Sequence, residues 1–145
     1  MIELTDEMRE RIARALDDGC PVIAASVDGD GQPKISFYGS THVFSGDQLA
    51  IWVRSPESGV LRRLASNPRM ALLYRNSKEK VAWQFFGRGR VVTDPELRDR
   101  VYAGAHEIER ALDPDRKGVA VIVDLDRVTG RGGLDMRRET APQAT

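Results

Sequence analysis

Cysteine occurs once in the 145 residues, at Cys20, which excludes an intrachain disulfide and any cysteine-based metal cluster. Histidine occurs twice, at His42 and His106, too few to make a ligand set for a metal. Lysine is scarce as well, confined to Lys34, Lys78, Lys80 and Lys117, and the formal net charge is zero. Nothing in that balance recruits nucleic acid or an acidic membrane surface. No apolar run approaches the roughly 18–20 residues that span a bilayer. The opening MIELTDEMRERIARAL mixes acids and bases and holds no apolar leader core, so a cytoplasmic protein is expected. No spacing of Ser, His and Asp supports a nucleophilic triad, and there is no repeat. What remains is an ordinary globular composition, with 41% hydrophobic and 30% charged residues. The length suits one domain, expected over residues 5–136, with an aperiodic tail over 137–145 expected to be disordered.

Along the chain, Thr5 is placed to cap a helix in which Met8, Ile12, Ala15 and Leu16 form one face and Gly19 ends the pattern. Pro21–Val27 reads as an apolar strand closed by Asp28-Gly29-Asp30-Gly31, a strong hairpin signal. Pro33–Phe44 reads as the returning strand and Leu49–Val53 as the next, which makes an antiparallel meander. Met70–Tyr74 and the long Val81–Thr93 follow. Gly87 and Gly89 inside the latter mark a bulge or bend. Asp94-Pro95 starts a helix whose face is Leu97, Val101, Ala105, Ile108 and Leu112, and Asp113-Pro114 stops it. Val119–Leu125 is a β-branched strand, and Val128 to about Met136 pairs as an edge. Six to seven short strands with three helices predict a mainly β, antiparallel barrel.

The most informative segment is Leu49–Arg69, LAIWVRSPESGVLRRLASNPR. It reads as a buried strand, a polar turn, a short helix and an Asn-Pro stop. Arg54, Ser55 and Ser58 stand where that helix begins. Free backbone N–H groups and the helix dipole favour an anion there, commonly a phosphate. Ser55 and Ser58 equally suit helix capping, and both roles use the same free amides.

This order of elements, with LASNPR at 64–69 and GRGRVVTDP at 87–95, resembles the pyridoxamine-phosphate-oxidase-like split β-barrel family of FMN- and F420-using proteins. The resemblance covers roughly residues 5–130. It implies an antiparallel split β-barrel, a homodimer, and a cofactor lying across the dimer interface with its phosphate near the turn at Arg54. Carried over by position, Val53, Arg54 and Ser55 line that pocket, with Ser58 and Arg62 beside them. Backbone around Tyr38, Gly39, Ser40 and Thr41 positions the ring. The chain departs from the family at Gly59-Val60, where Val60 stands in place of a common lysine. Arg54, Arg62 or Arg63 could substitute, the phosphate could be held more weakly, or the cofactor could be lost. A missing charge-assisted contact costs on the order of 1.5–3 kcal/mol.

The expected function is an oxidoreductase that moves a hydride between FMN (alternatively F420) and a small molecule, with no catalytic side chain singled out. The alternative is a non-catalytic cofactor- or haem-binding module of the same fold, with His42 or His106 as axial ligand. Tyr74, Trp83 and Phe85 read as packing residues, and Gln84 lies on the opposite face of its strand.

Overall fold

The computed structural model describes residues 1–139. Its elements are α1 (Asp6–Ala13), β1 (Ile23–Val27), β2 (Pro33–Phe37), β3 (His42–Ser45), β4 (Gln48–Val53), α2 (Gly59–Ser66), β5 (Arg69–Asn76), β6 (Val81–Val92), α3 (Pro95–Gly104), α4 (Glu107–Ala111), β7 (Val119–Gly130) and β8 (Asp135–Arg137). The strands form one antiparallel sheet in the order β2-β1-β5-β6-β7-β4-β3, with β8 also on β7. The sheet does not close, and its two ends give it the split-barrel form. No helix among the described residues is long and apolar enough to cross a membrane.

Local chemistry sets most boundaries. Thr5 Oγ1 accepts the Met8 N–H at 3.1 Å and starts α1, while Asp94 Oδ2 accepts the Leu97 N–H at 3.0 Å and starts α3. In the β1–β2 hairpin Asp28 Oδ1 takes the N–H groups of Asp30 and Gln32. The bulge expected from the strand glycines lies between Phe86 and Gly87, where β6 slips one residue against β7. A side chain at Gly87 would overlap the Asp124 carbonyl, so the bulge needs glycine.

Eight strands and four helices stand against the six or seven and three expected. Pro33–Phe44 is two strands, because Thr41 N–H bonds back to the Tyr38 carbonyl at 3.1 Å and folds a turn between them. The helix read through Leu112 breaks at Ala105-His106, and α4 leaves in a new direction. Ile108 and Leu112 are therefore exposed instead of sharing the buried face of Val101 and Ala105. At the other end, β8 takes in Arg137, and the Arg138 N–H bonds the Asp126 carbonyl at 2.9 Å. Pairing thus reaches into the stretch expected as tail, whose residues 140–145 lie outside the described residues.

Two cores flank the sheet. The larger packs Met8 and Ile12 of α1 and Val60 and Leu64 of α2 against Leu49, Ile51, Leu72, Phe85 and Val121. Tyr74 and Trp83 stack within it at 5.1 Å. The smaller packs α3 through Val101 and Tyr102 on Ala50, Trp52, Ala120 and Ile122. β4 and β7 are thus buried on both faces, which explains their nearly unbroken apolar runs. On the opposite side of β1 and β5 a different row runs across the sheet in register: Ile35, Ala25, Ala71, Phe86, Arg127. Ile35 at its end is 75% exposed, and Phe37, one pleat along, is 65% exposed. That face is apolar and uncovered within the protomer.

Candidate functional site

At the C-terminal end of β4 lies a cleft of about 420 Å³. One wall is the Tyr38–Ser40 turn, the floor is Trp52 and Val53, and the far wall is Arg54, Ser55 and Ser58. The turn is held by a buried hydroxyl. Ser40 Oγ donates to the Trp52 carbonyl at 2.8 Å and accepts the Trp52 N–H at 3.0 Å, replacing the strand partner that β4 lacks at this point. Thr41 Oγ1 donates to the Tyr38 carbonyl at 2.8 Å, which turns it inward. Tyr38 is half-buried, and burial pushes its phenol up, with Arg63 opposing.

The far wall belongs to α2. Ser55 Oγ accepts the Glu57 N–H at 3.2 Å, and the Ser58 N–H bonds the Ser55 carbonyl at 3.1 Å, so the polar turn is self-bonded. Ser58 is the N-cap residue but makes no side-chain cap bond, and the first turn of α2 carries no acid. The head of that helix therefore keeps its positive end available.

Seven of the nine expected site residues come together here: Tyr38, Gly39, Ser40, Val53, Arg54, Ser55 and Ser58. Thr41 is buried behind the turn. Arg62 lies apart, donating to the Glu57 carbonyl at 3.2 Å and lining a separate cleft of about 220 Å³ with Asp28, Arg63 and Ser66. Val60 is 2% exposed and faces the larger core beside Leu64, so its side chain does not line the cleft.

One residue of the cleft was not singled out from the sequence. Glu109 of α4 reaches across to Arg54, with Oε2 3.2 Å from Nε. A methyl group at Gly39 would stand 2.5 Å from Glu109 Oε1, so the glycine makes room for this carboxylate. The only sequence signal was a glutamate near the end of an apparently continuous helix. Its direction depends on the break at His106, which tertiary contacts create.

Both histidines are engaged by the fold. His106 Nδ1 accepts the Ile108 N–H at 3.1 Å as the cap of α4, and Nε2 lies 2.9 Å from Asp17 Oδ1. His42 Nδ1 bonds the Ser40 carbonyl at 2.9 Å, and its buried Nε2 lies against Gly104, where a side chain would overlap the ring. Burial pushes the His42 imidazole down, partly offset by the Ser40 carbonyl. Among the described residues no three His, Cys, Asp or Glu side chains are grouped to hold a metal.

Comparison with known proteins places this geometry. The family model for pyridoxamine 5'-phosphate oxidase matches residues 4–129. No curated protein matches the sequence. Among solved structures, HupZ of Group A Streptococcus is 15% identical with a TM-score of 0.70, over 92% of this chain and 98% of its own. General stress protein 26 of Bacillus anthracis is 14% identical with a TM-score of 0.68, over 91% and 99%. An FMN-binding protein of Syntrophomonas wolfei is 13% identical with a TM-score of 0.65, over 88% of both chains. At these identities the structural likeness speaks for the fold alone.

Proposed function

The chain belongs to the pyridoxamine 5'-phosphate oxidase family, and on that premise we propose that it is a homodimeric flavin- or deazaflavin-dependent oxidoreductase acting on a small molecule. The observation that carries this reading is the cleft itself. It unites the backbone turn at Tyr38–Ser40 with Arg54, Ser55 and Ser58, the last of which is the N-cap residue of α2. That set fits a phosphate: two hydroxyls and one guanidinium beside the positive end of a helix. The cofactor in this reading is FMN, with F420 as the alternative. Arg54, Ser55 and Ser58 hold its phosphate, and the backbone of the Tyr38–Ser40 turn positions its ring.

When bound, the ring accepts and passes on a hydride, and the protein binds and orients it. The buried floor of Trp52 and Val53 excludes water from one side of the cleft. The uncovered row from Ile35 to Phe86 supports the dimer, since β2 is exposed along its whole length directly beside the cleft. A second copy laid on this face covers Ile35 and Phe37 and encloses the ring.

Titration of the purified protein with FMN and with F420, followed by fluorescence, tests the reading. Saturable micromolar binding of one of them is the expected result. Absence of binding by both sinks the cofactor assignment and leaves a cofactor-free module of this fold.

A further inference from the structure

The charged side chains lining the cleft are Arg54 and Glu109, one of each sign, and no lysine or second arginine lines it among the described residues. Position 60, where a lysine would add charge, is a valine directed into the core. Apart from Arg54, the positive charge that the protomer's cleft lining offers a phosphate is therefore that of the head of α2, worth about half a charge. Glu109 cancels Arg54.

The carboxylate is largely buried. It is 13% exposed, wedged between α4 and the Tyr38–Ser40 turn, with Oε1 seated over Gly39 and Oε2 on Arg54 Nε. No described donor hydrogen-bonds it, so its charge is screened by the guanidinium alone. Arg54 meets it through Nε, which leaves the terminal nitrogens of the fork for an incoming anion.

We propose that Glu109 is a specificity-determining residue of this site, selecting a cofactor held by a singly charged phosphodiester over one ending in a doubly charged phosphomonoester. The inference rests on the cofactor reading above. A phosphomonoester has its second pKa near 6 and carries close to two charges at neutral pH, whereas a phosphodiester carries one. The first charge meets the open edge of Arg54. A second must be placed beside a largely buried carboxylate, with no second cation among the protomer's side chains that line the cleft. FMN ends in the phosphomonoester, whereas F420 presents a phosphodiester at the same point and carries its remaining carboxylates on the tail beyond it, so the charge seated beside Glu109 separates the two cofactors.

The experiment compares four ligands by fluorescence titration: riboflavin, FMN, the phosphate-free deazaflavin alcohol, and F420. The ratio within the flavin pair isolates the phosphate group from the ring, and the ratio within the deazaflavin pair gives the phosphodiester together with its acidic tail, so the test rests on how Glu109→Gln changes each ratio. In the wild-type protein the phosphodiester should improve binding of its ring more than the monoester improves binding of riboflavin. Glu109→Gln keeps the shape and removes the charge. It should raise FMN affinity on the order of tenfold and F420 affinity about threefold, with both phosphate-free ligands unchanged. Glu109→Ala should change the two phosphate ratios in the same direction. An E109Q protein whose FMN affinity is unchanged or weaker overturns the proposal, as does an equal shift of all four ligands, which would mark a packing effect. If none of the four ligands binds either protein, the cofactor reading fails and this proposal fails with it. That outcome differs from one in which ligands bind without discrimination by charge.

Discussion

Arg54 stands at a strand end with half its side chain in solvent, and its one ionic partner in the protomer is Glu109. Removing it strips the cleft of its cation and leaves Glu109 uncompensated. Arg54→Ala should weaken FMN binding by about ten- to a hundredfold while riboflavin binding changes little, read by the same titration. Equal losses for both ligands would mean that Arg54 shapes the cleft rather than holding phosphate. His42 gives a pH prediction. Its folded pKa lies below the ordinary value, so the unfolded chain binds a proton more readily. The stability this contributes is complete above roughly pH 6.5 and is lost as the pH falls below it, at no more than about 1.4 kcal/mol per pH unit. Urea unfolding of the wild type and of His42→Asn between pH 7.5 and 5.5 checks this, and a slope unaltered in the variant would remove His42 as its source. At this scale Arg54, Ser55 and Ser58 were legible because strand end, polar turn and helix start are local signals. Glu109 was not legible, since its partner is 55 positions away in the chain.

The elements were legible wherever a side chain near in sequence closes them, as at Thr5, Asp28 and Asp94. Reading failed where the closing group comes from elsewhere. Between β2 and β3 the turn is closed by the Thr41 N–H on the Tyr38 carbonyl and anchored by the Ser40 hydroxyl on Trp52, twelve residues on. The α3–α4 break is similar. There His106 caps the second helix while bonding Asp17, and Arg110 donates to the carbonyls of Ala103 and Ala105 that the break leaves unpaired. His106→Ala should therefore cost about 1 kcal/mol, seen as a lowered melting temperature. Because α4 carries Glu109, the same substitution should also shift FMN affinity, an effect absent if the cap is merely local. The bulge at Gly87 is a third such test. Gly87→Ala pushes a methyl into the Asp124 carbonyl and should destabilise by about 2 kcal/mol or more, measured by denaturant unfolding.

At the scale of the whole molecule, the sheet presents an apolar face that the protomer leaves bare, with Ile35 and Phe37 at its edge. Placing a charge there should act on assembly before it acts on folding. Ile35→Asp should elute as a monomer in size-exclusion chromatography, keep its unfolding midpoint close to that of an isolated protomer, and bind FMN poorly. A dimeric I35D protein would place the subunit contact elsewhere. The sheet class was legible from turn signals and strand periods. This face was not, because Ala25, Ala71 and Phe86 each read as ordinary interior residues, and only the register across four strands joins them.

The long-range partner of β4 is β7, which pairs Gln48–Val53 with Val119–Asp124. The strand that ends in Arg54 is thus translated early and waits for some seventy later residues before its second neighbour exists. Throughout that interval the floor and both walls of the cleft are already in the nascent chain, but the strand that forms the floor lacks its second neighbour. A ribosome-held chain that stops before Val119 should be blind to any cofactor in the cell. On the proposed reading, cofactor loading then belongs to the nearly finished polypeptide, after β7 has paired with β4.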